Sequence, residues 1–352
     1  MNSTPKHIAV IRLSAMGDVA MLVPVVLALI KAQPEIKITL ISRSRFAPIF
    51  AGIGQVQFMA TEVNGKHKGV FGLWRLAKAI KKTNPDAVAD LHHVLRSHVV
   101  SLFLKWSGLP VATLFKGRQE KQKITKNFDP KTPWLTSSHE RYAAVFRSLG
   151  LTVDLTPHLV ANHKVPKDDQ ATQLRDNLPR PLIGIAPFAA FPGKAYPEAM
   201  MRQLITEVSQ KWKGTILLFG GPGKEQNTLN QWSQDHEQVR NCAGSGTFAQ
   251  ELMLLQELDV MIAMDSGNGH LAANFGLPVI TLWGVTHPCF GFAPFAQPAE
   301  NQLCADRTHF PKIPTSVYGK EMPEGYDKAM ETIIPEMVIN RLSDILDKTN
   351  TL

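Results

Sequence analysis

The chain has 352 residues, 44% of them apolar and 19% charged. That excludes a disordered or fibrous protein and exceeds what one hydrophobic core usually serves, so two domains are expected. Lys and Arg outnumber Asp and Glu by 38 to 30, and the three cysteines (Cys242, Cys289, Cys304) form neither a metal-ligand spacing nor an even disulfide framework. A reducing compartment and anionic partners are implied.

The basic residues gather between Lys66 and Lys131, among them Lys78, Lys81, Lys82, Lys116, Arg118, Lys121, Lys123 and Lys126. Such a face suits nucleic acid, phosphorylated lipid or a nucleotide ligand, or is simply solvated. The first apolar run, His7–Leu13, reads as a strand without a following cleavage site, so no signal peptide is expected. The longest apolar stretch, Val19–Ile30, is shorter than the roughly 20 residues of a membrane span. Membrane contact, if present, is therefore expected to be peripheral.

In chain order, Ile8–Leu13 reads as a strand, Val19–Ala32 as a helix and Lys37–Ile41 as a strand. Leu73–Lys81 reads as a helix, Ala87–Leu91 as a strand and His139–Leu149 as a helix. Residues 155–181 carry four prolines and a charged run with a polar helical piece, and read as a boundary. The pattern then restarts: strand Leu182–Ala186, a helix from Pro197 to about Lys211, strand Thr215–Phe219, and helices Gln226–Gln234 and Ala249–Glu257. Strand Asp259–Met264, helix Gly269–Phe275 and strand Val279–Trp283 follow, and helix Glu331–Lys348 closes the chain. Continuous apolar strands alternating with helices predict parallel sheets covered on both faces. Ligands of such sheets bind at the carboxyl ends of the strands, so the strand-to-helix loops are where chemistry is expected.

Five loops qualify. Arg12–Asp18 follows the first strand. Gly17 admits close backbone approach, and Asp18 reads either as a helix cap or as a general base. The loop lacks Gly-x-Gly-x-x-Gly, which disfavours a dinucleotide-binding dehydrogenase. Asp90–Ser97 brings His92, His93 and Arg96. Adjacent histidines point apart and no third ligand is evident, so a sugar or anion contact is expected rather than zinc. In Phe188–Pro197, Lys194 precedes a helix, where a cation makes sense if it meets an anion, the alternative being a solvated lysine. Gly220–Glu225 is a glycine turn whose Glu225 suits ribose hydroxyls or merely the helix start. Asp265–His270, with Ser266, Gly267 and His270, offers backbone N–H groups to a phosphate. No Asp-x-Asp pair is present to hold a divalent ion on a diphosphate.

These loops, in this order, resemble glycosyltransferase family 9, the lipopolysaccharide heptosyltransferases. Ser14-Ala15-Met16-Gly17-Asp18, Lys194 to Pro197, Gly244-x-Gly246-Thr247, Asp265–His270 and Gly276–Gly284 carry the likeness. The departures are Tyr196 where the family often has Trp, Phe188 after strand Leu182–Ala186, and His92-His93 in the acceptor half.

The resemblance implies an α/β, GT-B fold: two Rossmann-like doubly wound domains facing a central cleft. Residues 1–165 would bind acceptor and 175–330 the nucleotide sugar. A helix over 331–352 would pack back toward the first domain. It implies inverting, metal-independent transfer of heptose from ADP-heptose to a lipid A-linked, phosphorylated core acceptor, without cofactor or nucleic acid. Asp18 would be the base and Lys194 would neutralise the donor diphosphate. Glu225, Asp265, Ser266, Gly267 and His270 would bind donor, and Ser14, Met16, Gly17, His92 and Arg96 acceptor. The setting implied is the cytoplasmic face of the bacterial inner membrane, with Lys116–Lys131 turned toward an anionic lipid surface. A non-catalytic nucleotide-sugar binder and a GT-B sugar-nucleotide epimerase are the alternatives on the same fold.

Overall fold

The computed structural model describes residues 4–129, 131, 133–160, 163–166 and 178–349. The chain divides into two compact units, one of residues 1–116 and 138–165, the other of 117–137 and 166–352. Residues 161–162 and 167–177 of the boundary stretch foreseen in the sequence, with its polar helical piece, lie outside the described residues.

The first unit is built on a five-stranded, all-parallel sheet of order β3-β2-β1-β4-β5. Its strands are β1 (His7–Ile11), β2 (Lys37–Arg43), β3 (Val56–Thr61), β4 (Ala87–Asp90) and β5 (Val111–Thr113). In β1 every residue after His7 is buried, as a strand covered on both faces requires. Ile8 registers with Ile38 on one side and Ala87 on the other. The helices are α1 (Met16–Ala20), α2 (Leu22–Ala32), α3 (Gly69–Lys82), α4 (Leu95–Trp106) and α6 (Ser138–Ser148). Helix α5 (Arg118–Lys126) belongs to the other unit.

The second unit carries a six-stranded parallel sheet of order β11-β10-β9-β6-β7-β8. Its strands are β6 (Leu182–Ala186), β7 (Thr215–Leu218), β8 (Val239–Asn241), β9 (Val260–Met264), β10 (Val279–Trp283) and β11 (Gln302–Cys304). The covering helices are α7 (Glu198–Lys211), α8 (Lys224–Trp232), α9 (Phe248–Leu255), α10 (Gly267–Ala273) and α11 (Pro335–Thr349). Both sheets reverse their winding at one point, between β1 and β4 and between β6 and β9. That switch point is where a doubly wound sheet opens a crevice for ligand.

Two features bear on the expected division of the chain. Residues 117–137 fall within the expected acceptor domain, yet they cluster with the second unit. Ile124 is buried there against Cys289 and Phe290, and Leu135 N–H donates to the Cys289 carbonyl at 2.9 Å. The closing helix, expected to reach back toward the first domain, spends its apolar stripe in the second unit. Val338, Ile339, Leu342, Ile345 and Leu346 recur at helical spacing and enter the core shared with α7. Pro335 also separates α11 from a preceding 3₁₀ turn, Tyr326–Thr332, where the sequence suggested one helix.

Among the described residues no helix is long and apolar enough to cross a membrane.

Candidate functional site

In the first unit the loop after β1 starts α1 two residues earlier than Asp18, so Asp18 is the third helical residue and not the cap. From there its carboxylate reaches back to accept the Ala15 N–H at 3.1 Å, the reciprocal half of a capping box. The same oxygen pairs with the Arg12 guanidinium. Arg12 is buried, its other arm donating to the Leu91 carbonyl at the end of β4 at 2.5 Å, so it ties the two strands that flank the switch point. Tyr142 of α6 lies beneath, its ring 5.6 Å from the guanidinium carbon and its hydroxyl donating to the Asp18 carbonyl at 3.3 Å. Burial disfavours the Arg12 charge, but Tyr142, Asp18 and Asp90 outweigh it and hold the group above its ordinary range. The Asp18 side chain keeps 35% exposure against 6% for Arg12. The carboxylate is the presented group and the arginine its anchor.

The loop after β4 is organised by Asp90, fully buried, whose Oδ1 accepts the backbone N–H groups of His92 and His93, both at 2.9 Å. Ser101 Oγ donates to its Oδ2 at 3.2 Å. His93 turns outward, with Nδ1 2.6 Å from the Leu114 carbonyl. His92 turns inward and its pKa falls to about 3, chiefly through burial and then through Arg12, Lys116 and Arg43. It is therefore neutral at physiological pH. His92 Nδ1 and Arg43 Nε are buried without a hydrogen-bond partner among the described residues. A cationic group with an unused donor in the surroundings of His92 suits an anionic ligand. Ser14, Met16 and Gly17 are half-buried around this loop, whereas Arg96 is exposed on the first turn of α4.

In the second unit Lys194 and Asp265, 71 residues apart, meet across the β6/β9 switch point. Lys194 Nζ lies 2.8 Å from Asp265 Oδ2 and donates to the Asp265 carbonyl at 3.1 Å. Thr286 Oγ1 donates to the same carboxylate oxygen at 3.0 Å. The lysine is 14% exposed and the aspartate 7%, so here the carboxylate is the anchor and the ammonium the presented group. Backbone crowding fixes the arrangement. Gly193 N–H donates to the Gly319 carbonyl at 3.1 Å, and a Cβ at Gly193 would come within 2.8 Å of that carbonyl. Gly319 has φ of +75° and stands against the Lys194 stem, so only glycine fits there. Sequence reasoning missed Thr286 and Gly319, whose neighbours contain no motif.

The other expected donor residues are near the same strand ends. Ser266 caps α10 by position, and its hydroxyl makes no cap bond; His270 is buried on the same helix. Gly267 is half-buried. Glu225 Oε2 accepts the Gly221 N–H at 2.6 Å, closing the glycine turn after β7 onto the start of α8. Phe188 stacks toward Trp232 at 5.9 Å and joins the apolar core. Tyr196 donates its hydroxyl to the Ile333 carbonyl, which gives this departure from the expected Trp a structural partner. Among the described residues no group of three His, Cys, Asp or Glu side chains could hold a metal ion.

Comparison with known proteins bears on this geometry. Residues 73–324 match the model of glycosyltransferase family 9 (heptosyltransferase). The lipopolysaccharide core heptosyltransferase of Haemophilus influenzae is 23% identical over 290 residues, covering 81% of this chain and 80% of that protein. Lipopolysaccharide heptosyltransferase 2 of Salmonella typhimurium is 28% identical over 181 residues, 48% of each chain. The solved structure of a family 9 glycosyltransferase from Veillonella parvula superposes with a TM-score of 0.74 at 21% identity, covering 97% of this chain and 98% of that one. It shares the fold.

Proposed function

This chain belongs to glycosyltransferase family 9, the heptosyltransferases, and on that premise we propose that it transfers heptose from ADP-heptose to a lipid A-linked, phosphorylated core acceptor. The observation that carries the reading is the half-exposed Asp18 carboxylate held at a strand switch point by a buried arginine.

A sugar hydroxyl is a weak nucleophile, and a carboxylate that takes its proton as the new bond forms supplies the base that transfer needs. Asp18 is fixed through one carboxylate oxygen, by Arg12 and by the Ala15 N–H, so it is oriented before the acceptor arrives. The acceptor is anionic, and Arg43 and Lys116 near the neutral His92 form its counter-charge. Ser14, Met16 and Gly17 line the same loop, and Arg96 extends the cationic side of it.

The leaving group is a nucleoside diphosphate whose negative charge grows in the transition state. An ammonium has three protons. Lys194 gives two directions to Asp265, and the third is the one offered to the diphosphate. Backbone N–H groups at Ser266 and Gly267 add to it, with His270 and Asp265 toward the sugar and Glu225 toward the ribose. Attack opposite the leaving diphosphate inverts the anomeric centre. The work takes place on the cytoplasmic side of the membrane that carries the acceptor.

The test is purified protein with ADP-heptose, with and without a lipid A core acceptor, followed by mass spectrometry of the acceptor. Addition of one heptose that depends on acceptor, and is lost in Asp18→Asn, is the expected result. Donor binding without turnover on any core acceptor would leave a nucleotide-sugar-binding protein instead.

A further inference from the structure

Helix α3 has two unlike faces. Leu73, Leu76, Ala77 and Ile80 are buried in the core of the first unit. The opposite face exposes apolar side chains that a solvated helix would not carry: Phe71 is 84% exposed, Val70 62% and Trp74 42%. At 100° per residue, Val70, Trp74, Lys78, Phe71, Lys82 and Arg75 fall in that order within an arc of about 140°. Apolar and basic groups are thus interleaved on one surface. Lys78 lies over the Trp74 ring, its Nζ 3.8 Å from the centroid. From Val63 to Pro85 the sequence has six Lys or Arg and no Asp or Glu.

We infer that this face of α3 is the surface by which the protein docks on an anionic lipid bilayer. Tryptophan suits the headgroup boundary, where its apolar ring is buried and its indole N–H stays wet, and phenylalanine inserts its ring beside it. Lysines beside them meet lipid phosphates while their stems lie along the apolar surface. Charge selects this occupant. A second copy of the chain related by a two-fold axis would set these cations against their own equivalents, with no acid on the segment to offset them. An anionic membrane complements them.

The inference also relocates the membrane face expected from the sequence. In α5 Lys121 is 7% exposed and lies over Phe292, with Nζ 4.1 Å from the ring centroid, and Ile124 faces the core. That helix has no apolar residue to insert. The proposal rests on the function above only for its purpose, because bilayer binding is read without donor, acceptor or turnover.

The experiment is co-sedimentation of the full chain with vesicles of equimolar phosphatidylglycerol and phosphatidylcholine, and with phosphatidylcholine alone. The wild type should bind the anionic vesicles and lose binding in high salt. Phe71→Ser/Trp74→Ser should weaken binding by about tenfold or more, and Lys78→Glu/Lys82→Glu by a similar factor, with unchanged Tm and transfer to a soluble acceptor fragment unchanged. Wild type that ignores anionic vesicles overturns the proposal. So does undiminished binding by both α3 variants, or loss of binding on Lys123→Glu/Lys126→Glu alone. A wild-type dimer that the Phe71/Trp74 variant converts to monomer would assign the face to self-association instead.

Discussion

Each unit carries one carboxylate–cation pair at the switch point of its sheet, and the two are built in opposite senses. In the first, Arg12 is buried and Asp18 is 35% exposed, six residues on in the first turn of α1. In the second, Asp265 is buried under Thr286 and Lys194 is the group turned outward, 71 residues away in sequence. One pair therefore presents an anion and the other a cation. A group transfer needs both: an acceptor for the hydroxyl proton and a counter-charge for the departing diphosphate. The difference also says which partner of each pair meets solvent and which is held inside.

The comparison breaks first at Asp18. Asp18→Asn keeps an oxygen for the Ala15 N–H and removes the base. Turnover should fall by about 10²–10⁴ while donor affinity, measured by calorimetry, stays within experimental error. Near-normal turnover would reduce Asp18 to a helix-start residue. The next effect is on stability. Asp265→Asn leaves the Lys194 ammonium in a nearly closed site without its counter-ion, and urea unfolding should show a loss on the order of 3 kcal/mol. Asp18→Asn likewise strips the buried Arg12 guanidinium of its carboxylate and should lose a comparable amount. A loss under about 1 kcal/mol in either variant would mean that its cation is solvated and not held by the pair. Lys194→Met probes the presented cation directly. It should weaken ADP binding by about tenfold to a hundredfold, the range of a hydrogen bond to a charged group, and leave binding of a soluble acceptor fragment unchanged. The reverse pattern would place Lys194 on the acceptor side.

The same contrast explains what the sequence disclosed. Strands β1, β4, β6, β7, β9 and β10 are continuous apolar runs in the middle of their sheets, and all of them were legible. The edge strands β3, β5, β8 and β11 were not. Three of them have three residues, and β3 buries only Thr61, so their pairing is imposed by the neighbour and not by composition. Helix α4 was missed because His92 to Ser97 reads as a ligand loop, although Leu95 already begins the helix. Helix α3 was read four residues short because its first turn exposes Val70 and Phe71, where periodicity expects polar residues. Asp18, Lys194 and Asp265 were legible as loop residues after strands. The Arg12–Asp18 pair is local and could have been read from spacing. The Lys194–Asp265–Thr286 contact is a product of strand order, and no spacing within any one loop encodes it.

A third carboxylate sharpens the comparison by lacking a cation in its environment. Burial alone pushes the Glu251 carboxyl, on α9, up to about 7 from its ordinary 4.5. Between those values the folded chain holds a proton that the unfolded chain has released. Its contribution to stability is thus fully present below pH 4.5, and it is lost as pH rises through 7. Glu251→Gln keeps the shape and removes the charge. The variant should match the wild type near pH 4.5 and exceed it above pH 7, by about 1–3 kcal/mol given partial solvent access. The buried histidines act in the opposite direction: His92, at about 3, and His163 and His287, at about 4, stay neutral in the fold and withdraw stability as pH falls below 6.5. They are common to both proteins and cancel in the difference between two urea-unfolding series run from pH 4.5 to 8. A difference that is flat across that range would mean that Glu251 is held as a charged group after all.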